Sequence, residues 1–333
     1  MKKYIVSFLL VSLLIASLSL GMVACNETNP PAETNPNGSE TASTTQGNNE
    51  GVTNGNGSGN ENPGNNTATP GTEENPITLT FNGIQCSESV AGTLSVDGGA
   101  FVISKGGFYV LSGDLSDGQI RVSVPKTEEI TLIFKNFTAS SSKSAPLYIT
   151  SCDKATIELA AGSVNSLTDA SIYQFANPAD DKPNACIYSA DDLTIKGDGT
   201  LNITANYNNG IGCKNDLRIK SGTMTVVAPN NILKGNDSVT IEGGNITLSG
   251  GEDAIKSDAT DRTDKGFVLI EGNAKVTIDC SDDALQATQS ITVAAGTSVT
   301  VTAGGSALNC PGTINADETA LNIISPGDSG EAA

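Results

Sequence analysis

Short runs of alternating apolar and polar residues fill the chain from residue 187 onward and return at a nearly constant interval. Each unit opens at an aliphatic residue and continues with one alternating run, a glycine or asparagine turn, and a second run, as in Leu217-Arg218-Ile219 followed by Met224-Thr225-Val226. An apolar period of two predicts strands with one buried face, and glycine supplies the positive φ of tight turns. The units open at Ile187, Ile211, Leu233, Ile255, Leu285 and Leu308.

The length of this repeat predicts the fold. The steps between units are 24, 22, 22, 30 and 23 residues, and the long step holds an insertion at 259–265. One unit supplies about three short strands and cannot bury its apolar side alone, so successive coils must stack. Leucine-rich repeats need a leucine consensus that is missing here, and propeller blades need about 40 residues. We therefore predict an all-β, single-stranded, right-handed parallel β-helix.

The segments that flank the repeats predict where the protein is located and how it is attached to the membrane. Two lysines, an apolar run at 4–20 and the sequence before Cys25 predict a lipoprotein signal peptide at 1–25, with a transmembrane anchor as the alternative. Residues 26–75 are rich in Asn, Gly, Thr and Pro and predict a disordered tether. We assign the β-helix to 76–325 and a disordered tail to 326–333. The protein is then extracellular, a monomer, and held at the cell membrane by lipid on Cys25.

Composition excludes several functions. A net charge of −19, from 37 acidic and 18 basic residues, argues against nucleic acid as a partner. The absence of histidine excludes His-based catalytic triads and His-ligated metals, and the absence of tryptophan removes the best platform for stacking on sugars. Six cysteines follow Cys25 without a close pair. We expect them to be small buried side chains, with disulfides as the alternative.

The repeat brings acidic residues together. Stacked coils place equivalent residues about 4.8 Å apart, and the position two before the opening aliphatic residue is Asp253 in one coil and Asp283 in the next. Carboxylates this close repel each other unless a cation lies between them, and mixed oxygen ligands suit Ca²⁺. The alternative is a ladder of Asn and Asp that only stabilises the turns. The predicted metal ligands are Asp253, Asp283, Asp282, Glu252, Asn231, Asn209 and Asp258.

Two lysines follow the opening aliphatic residue on consecutive coils, Lys234 and Lys256. Beside bound calcium, a lysine with a lowered pKa could abstract the proton α to a uronate carboxylate, which is the chemistry of a polysaccharide lyase. The alternatives are a salt bridge or a pairing with a substrate carboxylate, and no other catalytic residue is predicted.

Eight segments carry a family resemblance: 118–120, 162–169, 183–189, 191–195, 206–211, 237–241, 253–258 and 265–266. With these motifs, over roughly residues 80–305, the sequence resembles a bacterial family of parallel β-helix carbohydrate-binding proteins. Members bind cellulose and acidic sugars and are similar in fold to calcium-dependent pectate lyases. The family has Asp-Gly-Ile at several coils. Asn209 and Asn231 replace that aspartate here, which concentrates the calcium prediction on Asp253 and Asp283.

The resemblance implies calcium in the turns and a plant cell-wall polysaccharide, acidic such as pectin or cellulosic, as the partner. We therefore predict a calcium-dependent carbohydrate-binding lipoprotein of the cell surface. The first alternative is a calcium-dependent, pectate-lyase-like polysaccharide lyase. The second is a surface adhesin or wall-structural protein without sugar specificity.

Overall fold

The computed structural model describes residues 69–177, 179–180 and 182–324. The predicted signal peptide with Cys25, the tether up to residue 68 and the tail at 326–333 lie outside the described residues. Every regular element in the described part is a β-strand, and these strands number 28. None of the described residues form a helix long and apolar enough to cross a membrane.

The first nine strands belong to the less regular N-terminal coils. Two pairs among them, β1 with β2 and β3 with β4, are antiparallel hairpins, whereas the later pairings are parallel. The bounds are β1 Ile77–Gly83, β2 Gln85–Glu88, β3 Leu94–Asp97, β4 Ala100–Ile103, β5 Gly107–Leu115, β6 Gln119–Ser123, β7 Ile130–Ser140, β8 Leu147–Ser151 and β9 Lys154–Leu159.

The remaining strands repeat in groups of three, one for each side of a coil. Their bounds are β10 Val164–Thr168, β11 Ala185–Ser189, β12 Asp192–Gly197, β13 Thr200–Thr204, β14 Asn209–Cys213, β15 Asp216–Ile219, β16 Thr223–Ala228, β17 Leu233–Gly235, β18 Ser238–Ile241, β19 Asn245–Gly250, β20 Ile255–Ser257, β21 Phe267–Ile270, β22 Lys275–Cys280, β23 Leu285–Ala287, β24 Ser290–Val293, β25 Ser298–Ala303, β26 Leu308–Asn309, β27 Thr313–Ala316 and β28 Leu321–Ile324.

These strands form three parallel ladders. Strands β9, β12, β15, β18, β21, β24 and β27 pair in succession, and so do β10, β13, β16, β19, β22, β25 and β28. Strand β7 joins these two ladders, because its first half pairs with β9 and its last residues pair with β10. The third ladder is a sheet of its own, in the order β3, β4, β6, β8, β11, β14, β17, β20, β23 and β26. We call it the second sheet.

The register matches the predicted repeat at every step. Ile187 pairs with Ile211, Ile211 with Leu233, Leu233 with Ile255, and the next two openings follow in the same way. The predicted all-β parallel β-helix is confirmed.

One apolar core runs through the coils. It consists of aliphatic side chains in the later coils and includes four phenylalanines in the N-terminal coils. Six cysteines are unpaired in the described residues, and four of them, Cys152, Cys186, Cys213 and Cys280, are buried. These four agree with the expectation of small buried side chains, whereas Cys86 and Cys310 are only partly buried.

The loop segment at 169–177 contacts the coils near β11 and β14 through Tyr173. The Tyr173 ring stacks on Tyr207 at a centroid distance of 4.0 Å, and the Tyr173 hydroxyl donates to Asp169 at 2.6 Å. Asp169 is only 3% exposed. Burial raises the pKa of Asp169 although hydrogen bonds from Tyr173 and from backbone N–H groups oppose that rise.

The raised pKa of Asp169 predicts a pH effect on stability. The folded state holds this proton more tightly than the unfolded state, so stability falls as pH rises from about 4 through the folded pKa. The Asp169→Asn variant lacks this titration. For each unit by which the folded-state pKa of Asp169 exceeds its unfolded-state pKa, the wild type loses about 1.4 kcal/mol of stability relative to the variant as the pH rises. Urea unfolding between about pH 4 and pH 7 measures the difference. The exposed Asp198, changed to Asn, is the control. If the free energy of unfolding depends on pH in the same way for the wild type and Asp169→Asn, the prediction is wrong.

Candidate functional site

The predicted ladder of Asn and Asp lies where the chain enters the strands of the second sheet. Asn209, Asn231, Asp253 and Asp283 are buried, with exposures of 2, 6, 4 and 5%. A side-chain oxygen in one coil accepts the backbone N–H of the equivalent residue one coil later. Asn209 Oδ1 accepts the N–H of Asn231 at 3.2 Å, and Asp253 Oδ1 accepts the N–H of Asp283 at 3.3 Å. The last such bond runs from the Ser306 N–H to Asp283 at 2.8 Å. The ladder therefore ties successive coils together at their turns.

The ladder is interrupted between Asn231 and Asp253. The Asn231 amide group donates to Asn209 Oδ1 at 2.9 Å and to Asn230 Oδ1 at 3.0 Å. Its own Oδ1 is buried and has no hydrogen-bond partner among the described residues. Buried acceptors are nearly always satisfied, so an unpaired one calls for a ligand, water or ion. This oxygen belongs to the coil next to the acidic residues.

Three carboxylates converge beyond this interruption. Asp253, Asp282 and Asp283 each offer an oxygen within 4.8 Å of the other two, and we call them the carboxylate cluster. Two of its members are buried and Asp282 is exposed. Burial alone would raise the pKa of Asp283, but hydrogen bonds from Asn309, Ser306 and Gln286 outweigh it and lower that pKa. The cluster therefore concentrates negative charge at a partly buried place, as a cation site requires.

The other predicted ligands lie outside the cluster. Glu252 is exposed and does not belong to the group of mutually close carboxylates, and Asn209 lies two coils away. Asp258 receives a hydrogen bond from Lys234 at 2.6 Å through Oδ2, while its Oδ1 is buried and unpaired in the described structure. The structure thus brings together three of the seven predicted ligands and places Asn231 in the adjoining coil.

The two predicted lysines are register partners on β17 and β20. Each is paired with a carboxylate, Lys234 with Asp258 at 2.6 Å and Lys256 with Asp253 at 2.8 Å. This geometry corresponds to the salt-bridge alternative. A role of either lysine as a catalytic base stays a prediction.

A row of outward side chains crosses the second sheet beside the carboxylate cluster. The middle residues of β17, β20 and β23 are partly exposed between buried neighbours, which shows that they face away from the core. Two tyrosines at the N-terminal side are in edge contact, with centroids 5.7 Å apart. The register aligns Arg121, Tyr148, Tyr188, Gly212, Lys234, Lys256, Gln286 and Asn309. We call this set the outward row.

The outward row offers cations, amides and the partly exposed ring of Tyr148 at a spacing of about 4.8 Å per coil, a pattern suited to a linear polar ligand, while the Tyr188 ring is only 5% exposed. Lys234 and Lys256 of this row were predicted from the sequence as candidate functional residues. The signal for the rest was available, because the residue immediately after each opening aliphatic residue defines the row from Tyr188 to Asn309.

Comparison with known proteins agrees with this architecture. Residues 97–328 match the family model described as carbohydrate-binding domain-containing protein. A protein of that description from Acetivibrio thermocellus is 47% identical over 231 residues, which cover 69% of this chain and 80% of the relative. A solved structure, the gadolinium derivative of the polysaccharide lyase-like protein from C. thermocellum, superposes with a TM-score of 0.72 at 44% identity. That match covers 74% of this chain and 99% of the solved chain.

Proposed function

Because the chain belongs to the family of carbohydrate-binding domain-containing proteins, we propose that it holds Ca²⁺ at the carboxylate cluster and binds plant cell-wall polysaccharide along the outward row. The observation that carries the proposal is the position of the cluster: Lys256 lies in the row and contacts Asp253 of the cluster at 2.8 Å. A cation at the cluster and a sugar on the row would therefore be neighbours.

The donor set fits calcium. Ca²⁺ takes about six to eight oxygen ligands, including carboxylates, amide oxygens and water. The cluster supplies three carboxylates, and the unpaired Oδ1 of Asn231 is a neutral oxygen in the adjoining coil. Gadolinium, present in the solved relative, shares this preference for hard oxygen donors. Bound calcium would offset two of the three negative charges of the cluster, with Lys256 beside Asp253 offsetting the third, and would leave positions open for sugar carboxylates or hydroxyls.

The charge of the protein makes the binding of an acidic polysaccharide depend on this cation. The protein carries a net charge of −19, so it repels a polyuronate at long range. A divalent ion between the cluster and sugar carboxylates converts that repulsion into attraction. Pectin-type chains are therefore the preferred ligand, and cellulose, which has no carboxylate, would use only the polar and aromatic groups of the row.

The predicted anchor sets the location of this activity. A lipid on Cys25 and the tether at 26–75 would hold a monomeric β-helix outside the cell, attached to the membrane. Soluble fragments of plant wall would then be retained at the surface.

A polysaccharide lyase is the second candidate, favoured by the solved relative, which is lyase-like. Its base would be Lys234 or Lys256, each of which would have to leave an ion pair with an aspartate. An adhesin or wall-structural protein without sugar specificity is the third.

A binding assay tests the proposal. The full chain is incubated with insoluble polygalacturonate and with cellulose, with Ca²⁺ or with a chelator, and the unbound protein is measured. We expect retention on polygalacturonate with calcium, release by chelator, and no rise in ultraviolet absorbance from unsaturated product. Such a rise would identify a lyase. Retention on polygalacturonate that survives chelator contradicts the calcium dependence, and no retention on either glycan favours the adhesin.

A further inference from the structure

A recess interrupts the outward row where the row reaches Gly212. It has a volume of about 200 Å³ and lies between Tyr188 and Lys234. Its lining includes Lys182, Asn184, Tyr188, Gly212, Lys214 and Lys234. We call it the lysine recess.

Glycine at position 212 allows the preceding coil to pack closely against the lining of this recess. A Cβ atom at position 212 would lie 3.0 Å from the Cβ of Ala185 and 3.3 Å from Cδ2 of Tyr188. Gly212 does not have a positive φ, so its backbone does not require glycine. A side chain at position 212 would therefore force Ala185 and the recess-lining Tyr188 to shift.

The recess gathers positive charge on a strongly acidic protein. Three of its lining residues are lysines, in a chain that has 18 basic and 37 acidic residues. Lys234 is held by Asp258 at 2.6 Å, whereas exposed Lys214 forms no ion pair with any described carboxylate. Three asparagines, Asn184, Asn209 and Asn236, and the ring of Tyr188 add neutral polar and aromatic groups to the lining.

We propose that the lysine recess is a carboxylate subsite that takes one uronate unit of an acidic polysaccharide through Lys214 and Lys234, without a metal ion. The ammonium groups pair with the carboxylate, and the asparagines and Tyr188 contact the hydroxyls and ring of the sugar. This inference rests on the proposed function for the class of its ligand.

The recess and the carboxylate cluster are placed to hold the same glycan chain. Asn209 lines the recess and is two coils before Asp253 in the ladder, a separation of about 10 Å at 4.8 Å per coil. A polyuronate carries a carboxylate on each unit, so one carboxylate can reach calcium while another enters the recess. Linked contacts raise the affinity of an oligomer far above that of one unit.

Lys214→Gln tests the subsite without altering the cluster. Binding of a galacturonate oligomer to the full chain is measured by calorimetry in saturating Ca²⁺, beside the same oligomer with its carboxylates methyl-esterified. We expect Lys214→Gln to weaken binding of the acidic oligomer about fivefold and to reduce its salt dependence, with no change for the ester. Gly212→Ala, which forces Ala185 and the recess-lining Tyr188 to shift, is also expected to weaken binding of the acidic oligomer.

Lys275→Gln is the matched control, because Lys275 is exposed on β22, outside the second sheet. It removes the same charge and is expected to bind like the wild type, and melting curves of the variants verify that each one folds. Equal affinities for Lys214→Gln and Lys275→Gln, with wild-type binding still sensitive to chelator, overturn the subsite and leave the proposed function standing. A wild type that binds no acidic oligomer in calcium overturns both.

Discussion

Saturating Ca²⁺ is expected to raise the melting temperature of the wild-type protein by about 5–10 °C, and the Asp253→Asn/Asp283→Asn variant is expected to lose this rise. A ligand that binds only the folded state at about 100 times its dissociation constant stabilises it by about 2.7 kcal/mol. For a domain of this size, 1 kcal/mol shifts the melting temperature by about 2–4 °C. Asparagine keeps the shape of each aspartate while it removes the charge that calcium needs.

Differential scanning calorimetry of chelator-treated protein, with and without Ca²⁺, measures this shift. Glu252→Gln is the matched control, because Glu252 precedes Asp253 but lies outside the carboxylate cluster. It removes one negative charge, where the double variant removes two, and is expected to keep the full rise. A Glu252→Gln variant that loses the rise would instead support Glu252 as a calcium ligand, as the sequence predicts. An equal rise in the double variant would exclude the cluster as the calcium site.

The fold could be predicted because the apolar positions that define its strands recur at a nearly constant interval in the sequence. Each opening aliphatic residue from Ile187 to Leu308 stacks on the next, so counting residues was enough to place Asp253 against Asp283. The family resemblance drawn from the eight segments is confirmed by the match over 97–328 and by the A. thermocellus relative.

The contacts that could not be predicted from the sequence involve loops that interrupt the regular repeat. Asp258 immediately precedes the insertion at 259–265, and only the structure shows it turned to Lys234. Lys265, at the end of that insertion, bridges Asp216 at 3.4 Å and Asp237 at 3.1 Å on two earlier coils. Such contacts depend on the path of one irregular loop, which no repeat specifies. The lysine recess escaped prediction for the same reason, since Lys182 and Asn184 belong to the loop segment before β11.

The N-terminal coils are irregular as well, and large rings do the packing there. Phe137 is 1% exposed and lies between Phe81 and Phe134, at centroid distances of 5.5 and 5.2 Å. It follows Asn136, whose φ of 54° bends β7 from one ladder to the other. Its N–H donates to the buried Asn165 at 2.9 Å. The ring therefore fills the corner that joins two ladders.

Phe137→Ala is expected to lower the free energy of unfolding by about 3–5 kcal/mol, because it leaves a cavity that these rings cannot fill. Urea unfolding measures the loss, and the partly exposed Phe267, changed to Ala, is the control with an expected loss of about 1 kcal/mol. In a solenoid each coil contacts only its neighbours, so hydrogen exchange should locate the loss in β1 to β7. The calcium-induced rise should persist, since the cluster lies several coils away. A loss spread evenly over all coils would show that the β-helix unfolds as one unit and would contradict nearest-neighbour stability.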